Sequence, residues 1–163
     1  MNSYERKIHK QELIKWFKSK ADADEWMLFT CTVVFKPIDS NNSKSRWEDE
    51  YKTRVLRKIR RRLESNKKNQ ENAIPYEEFF FFERYEKSKF KKTRKRCPFH
   101  IHSLLPIRTS QVHRFWSFED SDLNPRVKKD IESIDVVQDV LIEQVGNEDP
   151  SRWIHYITKE KDF

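Results

Sequence analysis

Phe99 to Ile107, FHIHSLLPI, is the stretch on which the reading of the fold turns. In an extended chain successive side chains point to opposite faces. His100 and His102 therefore project together, while Phe99, Ile101 and Ser103 enter the other layer. A strand cannot satisfy its backbone alone, and the preceding segment supplies a partner. Tyr76 to Tyr85, YEEFFFFERY, follows Pro75, and its four consecutive phenylalanines read as a strand covered on both faces. The two runs pair antiparallel, joined by the basic segment Lys87 to Arg96, KSKFKKTRKR, which holds seven basic residues and no acid.

Working outward, Trp26 to Phe35 (WMLFTCTVVF) is apolar, aromatic and β-branched, and it is bounded by Pro37 and the polar run Asp39 to Ser45. That pattern predicts another strand. Ser3 to Lys20, with Ile8, Leu13, Ile14, Trp16 and Phe17 between charges, reads as a helix packed on the sheet edge. From Trp47 to about Asn66 one apolar stripe (Tyr51, Val55, Leu56, Ile59, Leu63) opposes a basic ridge (Arg54, Arg57, Lys58, Arg61), which predicts a long helix lying on the sheet. Ser110 to Trp116 reads as a short helix, and Arg126 to Asp130 is too charged to assign. Ile134, Val136 and the β-branched run after them predict a strand from about Ser133 to Val140. Asp149, Pro150 and Ser151 then introduce a final helix carrying Trp153, Tyr156 and Lys159. The implied architecture is one α+β domain with a central antiparallel sheet and flanking helices.

A chain of 163 residues suits one domain with a real core. Lys and Arg outnumber Asp and Glu by 34 to 27, and the pI near 9.4 favours an anionic partner. No stretch approaches the roughly 18 apolar residues of a membrane span, and the N-terminus lacks an apolar secretory core. The expectation is an intracellular protein. Two cysteines, Cys31 and Cys97, do not make a disulfide framework, and a single glycine, Gly146, excludes a Gly-rich phosphate loop. The chain stops seven residues after Tyr156, inside the expected helix, as the N-terminal part of a longer protein would.

Two imidazoles side by side are good ligands for Mn²⁺, Mg²⁺ or a heavier divalent ion, and Glu83 or Glu86 on the neighbouring strand offers a third ligand. Cys97 with the histidines would instead suggest zinc, but no suitable fourth ligand lies nearby. Tyr156 and Lys159, three apart on a helix, share a face, whereas His155 points about 100° away. An adjacent ammonium favours phenolate, so this pair suits nucleophilic attack on phosphorus. The same residues also fit a blander description: surface histidines, a solvated rim carboxylate, and a helix with one aromatic turned inward. The basic sets, Arg54, Arg57, Lys58 and Arg61 with Lys91, Lys92, Arg94, Lys95 and Arg96, suit a nucleic-acid backbone. Phe90, Trp47 and Trp116 are candidates for stacking on unpaired bases.

FTCT at Phe29 to Thr32, the acid Glu83, HIH at His100 to His102 and YITK at Tyr156 to Lys159 occur in that order. Together they resemble the HUH endonucleases with one catalytic tyrosine, and within them the replication-initiator (Rep) branch. The resemblance implies an RRM- or ferredoxin-like sheet with Mn²⁺ or Mg²⁺ held by His100, His102 and Glu83. It implies DNA contacts from the first motif, at Thr30 and Thr32. It further implies that Tyr156 nicks single-stranded DNA at an origin hairpin or element end, keeping a 5′-phosphotyrosine and freeing a 3′-OH, with Lys159 supporting the phosphate or metal. Host polymerase and helicase would be partners, in a prokaryotic cytoplasm or, for a eukaryotic virus or transposon, in the nucleus. These residues do not separate replication from transposition. The rivals are a noncatalytic RRM-like nucleic-acid-binding module, with phenylalanines as stacking platforms, and a structural zinc regulator.

Overall fold

The computed structural model describes residues 2–22, 25–36, 44–74, 81–84 and 99–145, with the backbone alone at 6, 17, 20–22, 44, 45, 71, 81–84 and 99. Helix α1 (Ser3–Asp22) leads into β1 (Trp26–Phe35). A helical rod follows, built from α2 (Lys44–Glu50), a π-helical stretch (Tyr51–Leu56) and α3 (Arg57–Leu63), and then α4 (Lys67–Ala73). After β2 (Phe81–Arg84) and β3 (Phe99–Arg108) come a 3₁₀ turn (Thr109–Arg114), the small hairpin β4 (Trp116–Ser117) and β5 (Asp122–Leu123), α5 (Pro125–Glu132) and β6 (Val137–Gln144). The main sheet is antiparallel with strand order β2-β3-β1-β6. The chain is thus mixed α+β, and its two apolar β-branched runs, β1 and β3, occupy the interior of the sheet.

Register decides the two faces. Cys31 pairs with Ser103 and Ile142, and Val33 with Ile101 and Val140, so one face is nearly all apolar. The helical rod buries its stripe there: Tyr51, Val55, Leu56, Ile59 and Leu63 join Phe29, Cys31, Val33, Phe35, Ile101 and Leu105 in one core. The π-helical stretch shifts the helical phase by one residue, and the consecutive Val55 and Leu56 are both buried. It also seats the Tyr51 hydroxyl 2.6 Å from Ser103 Oγ, a fully buried hydrogen bond between rod and sheet.

Beside that bond lies Cys31, a free thiol pushed up to about 12 by burial, against the opposing pull of hydrogen bonds with Tyr51 and Ser103. Burial likewise raises the Tyr51 phenol, and the neighbouring Cys31 raises it further. Both groups stay protonated in the folded chain at pH values where the unfolded chain ionises, so stability falls as pH climbs from about 9 towards 12. In a Cys97→Ser variant, native protein should resist iodoacetamide at mildly alkaline pH and label fully in denaturant. Rapid native labelling would mean that the thiol is accessible.

Several boundaries differ from the sequence reading. The rod ends at Leu63, where Glu64 is extended, and Asn66 restarts helix α4 by accepting from the Lys68 amide. Arg60, which stands between the ridge residues Lys58 and Arg61, is buried and donates from Nη2 to the Ile74 carbonyl at 2.8 Å. Residues Arg126 to Asp130 are helical: Asn124 accepts from the Arg126 amide, Pro125 occupies the first turn, and Val127 and Ile131 are buried one turn apart while the charges face out. The strand expected from Ser133 begins four residues later, at Val137, because Ile134 closes the helix by bonding back to the Ile131 carbonyl. The short helix expected at Ser110 to Trp116 is the 3₁₀ turn, and Trp116 already belongs to β4. Among the described residues, the main strand contacts of helix α1 are with β1, an interior strand, in place of the expected sheet edge. Among the described side chains of α1, Leu13 is fully buried, and it lies outside the main core. The described part of the Tyr76 to Tyr85 run forms β2 at Phe81–Arg84. The basic segment Lys87 to Arg96 and the expected final helix lie outside the described residues.

Candidate metal centre on the second face of the sheet

The face turned away from the rod carries Thr30, Thr32 and Val34 of β1, His100, His102 and Leu104 of β3, and Asp139, Leu141 and Glu143 of β6. Reading across the strands, one row runs Phe81, His102, Thr32, Leu141, and the next runs Glu83, His100, Val34, Asp139. His100 and His102 are the centre of this face. Their rings meet edge to face, with centroids 4.7 Å apart and planes at 87°. His100 is buried and His102 half-buried.

Thr32 is the direct cross-strand partner of His102, and its Oγ1 lies 2.9 Å from His102 Nδ1. A β-branched side chain is stiff at its first torsion, so the hydroxyl is held in place by the strand itself. Thr30, two residues earlier on the same face, turns the other way and donates to the Glu143 carbonyl at 3.4 Å. The two threonines of FTCT thus have different surroundings, which their common spacing does not reveal.

Glu83 pairs in register with His100, placing an acid one strand away from the histidines. Asp139 and Glu143 stand two strands away, about 10 Å at the usual strand spacing, too far to share an ion with them. Among the described residues no group of three or more His, Cys, Asp or Glu side chains could hold a metal ion. The two imidazoles fit a divalent ion as a partial set, nitrogen donors that need an additional oxygen ligand. Glu86, Cys97, Tyr156, Lys159, Phe90 and the basic residues Lys91, Lys92, Arg94, Lys95 and Arg96 lie outside the described residues.

The chain matches no protein-family model, no curated protein and no solved structure. The site therefore rests on its own geometry.

That geometry overturns one expectation, the stacking tryptophans, and gives the surroundings of two others. The ridge of Arg54, Arg57, Lys58 and Arg61 lies on the outer side of the rod, and the rod covers the face opposite the histidines. The whole sheet separates this ridge from the histidine pair. Arg54 is moreover committed to Asp135 at 2.6 Å and to Glu50 at 3.3 Å, and these partners hold its guanidinium above its ordinary range and the Asp135 carboxyl below. Arg62 extends the pattern by pairing with Asp130, which ties α3 to α5. Trp47 and Trp116 are not surface platforms: Trp47 is 0% exposed and stacks on Phe35, and Trp116 packs against Phe29 in the same core. Thr32, expected to contact DNA, is also a hydrogen-bond partner of His102. Only the β1 to β3 register reveals this contact.

Proposed function

We propose that this chain is a metal-dependent, single-stranded DNA nicking and joining enzyme that works by tyrosyl transesterification. The observation that carries the proposal is the pair of imidazoles on one face of an interior strand, with one ring tethered by Thr32 and an acid opposite the other. A divalent ion held by His100, His102 and Glu83 would polarise the phosphate and stabilise the charge that builds on it. In the reaction the Tyr156 oxygen bonds to phosphorus, the P–O3′ bond breaks, and the departing 3′-oxygen takes up a proton. Lys159, on the same face of the expected helix, offsets the charge of the phenolate. The energy of the cut bond is kept in the phosphotyrosine, so a later attack by a 3′-OH rejoins the strand and releases the phenol. The excess of basic residues suits the polyanionic substrate.

The rival reading, a noncatalytic binding module, needs aromatic platforms on an open sheet face. Phe29 and Phe35 of β1 are 0% exposed on the rod side, which removes two of them. No described helix is long and apolar enough to cross a membrane.

The deciding experiment incubates the protein with a pool of single-stranded oligonucleotides and Mn²⁺ and looks on a denaturing gel for protein shifted by covalent DNA. A shifted band that EDTA prevents is the expected result. Retention of DNA with no covalent species, across diverse sequences and hairpins, would shift the assignment to the binding module. His100→Ala and His102→Ala should each weaken Mn²⁺ binding by about 10-fold or more, read by the electron paramagnetic resonance signal of the free ion. In the same assay Glu83→Ala should match them, while Glu86→Ala leaves affinity nearly unchanged. The reverse result would transfer the oxygen ligand to Glu86.

A further inference from the structure

We infer that Thr32 is a positioning residue for His102: by accepting a hydrogen bond from Nδ1–H, it presents Nε2 as the nitrogen that binds metal. This deepens the metal reading of the site and rests on it. A neutral imidazole has one nitrogen with a proton and one with a free lone pair, so the partner of the first sets the role of the second. Thr32 Oγ1 occupies the Nδ1 side of His102 at 2.9 Å, so a metal bound by this ring meets it at Nε2. A lone pair on Nε2 requires the proton on Nδ1, and Thr32 then accepts.

Three features hold the arrangement. Thr32 and His102 are register partners in the middle of paired strands, so neither backbone can drift. His100 stands perpendicular to the His102 ring at 4.7 Å between centroids, which opposes a flip exchanging the two nitrogens. The hydroxyl is part-buried with the ring, where a hydrogen bond is less exposed to competition from water. Thr30 provides an internal contrast: it has the same residue type and face, yet it bonds to the β6 carbonyl of Glu143 and carries no such role.

The test uses ¹⁵N-labelled full chain, first free of metal, with long-range proton–nitrogen correlation of the imidazoles. His102 should show a protonated Nδ1 and an unprotonated Nε2. Thr32→Val keeps a β-branched side chain in the strand but removes the hydroxyl. It should abolish that tautomer preference and raise the Mn²⁺ Kd by about 10-fold or more. Thr32→Ser should restore both, and amide spectra of all three proteins report that the fold is intact. Wild-type protein that binds Mn²⁺ but carries its proton on Nε2, or an affinity unmoved by Thr32→Val, overturns the role of Thr32 alone. Wild-type protein that binds no Mn²⁺ overturns the metal reading itself.

Discussion

Tyr156→Phe should abolish the covalent protein–DNA species, a loss on the order of 10³-fold or more, while single-stranded DNA is retained as before. The change deletes one oxygen and keeps the ring, so any packing of the aromatic survives. That oxygen is the atom that would bond to phosphorus, and neither a metal nor a lysine can replace it. In a binding module the same substitution would alter nothing that a gel or a filter reads. An adduct persisting in the variant would mean that another residue is the nucleophile. Loss of DNA retention together with the adduct would mean that the phenol binds substrate and does not react.

Trp47→Ala should cost about 3–5 kcal/mol of folding stability, read as a lowered urea midpoint. Trp47 is 0% exposed and stacked on Phe35, with ring centroids 4.8 Å apart and planes at 20°. It is also among the largest side chains in the core. Truncation leaves a cavity between the start of the rod and the end of β1 that the surrounding strands cannot close. A tryptophan that stacked on DNA bases from the surface would behave in the opposite way, with stability barely moved and affinity lost. The substitution therefore separates core packing from base stacking in a single experiment.

Much of the fold was legible in the sequence where a local pattern carried it. The run WMLFTCTVVF is β1 with the same ends, Trp26 and Phe35, and FHIHSLLPI is β3 with one residue added. The stripe from Tyr51 to Leu63 is the buried side of the rod. Charge hid α5, since Lys128, Lys129 and Asp130 mask the two apolar residues that bury it. Alternation misled at Ile134 and Val136, which lie in the turn between α5 and β6 and belong to no strand.

The sequence by itself determined that His100 and His102 share a face, because side-chain parity is a local property of an extended chain. It could not determine what they share that face with. Thr32 reaches His102 across 70 positions of chain, and Glu83 meets His100, only through strand register. Register is set by hydrogen bonds between distant segments and by which face is buried. The same holds for the basic ridge. The stripe shows that Arg54 to Arg61 point away from whatever the rod packs on. That the rod packs on the face opposite the histidines was decided by where the apolar sides of β1, β3 and β6 coincide.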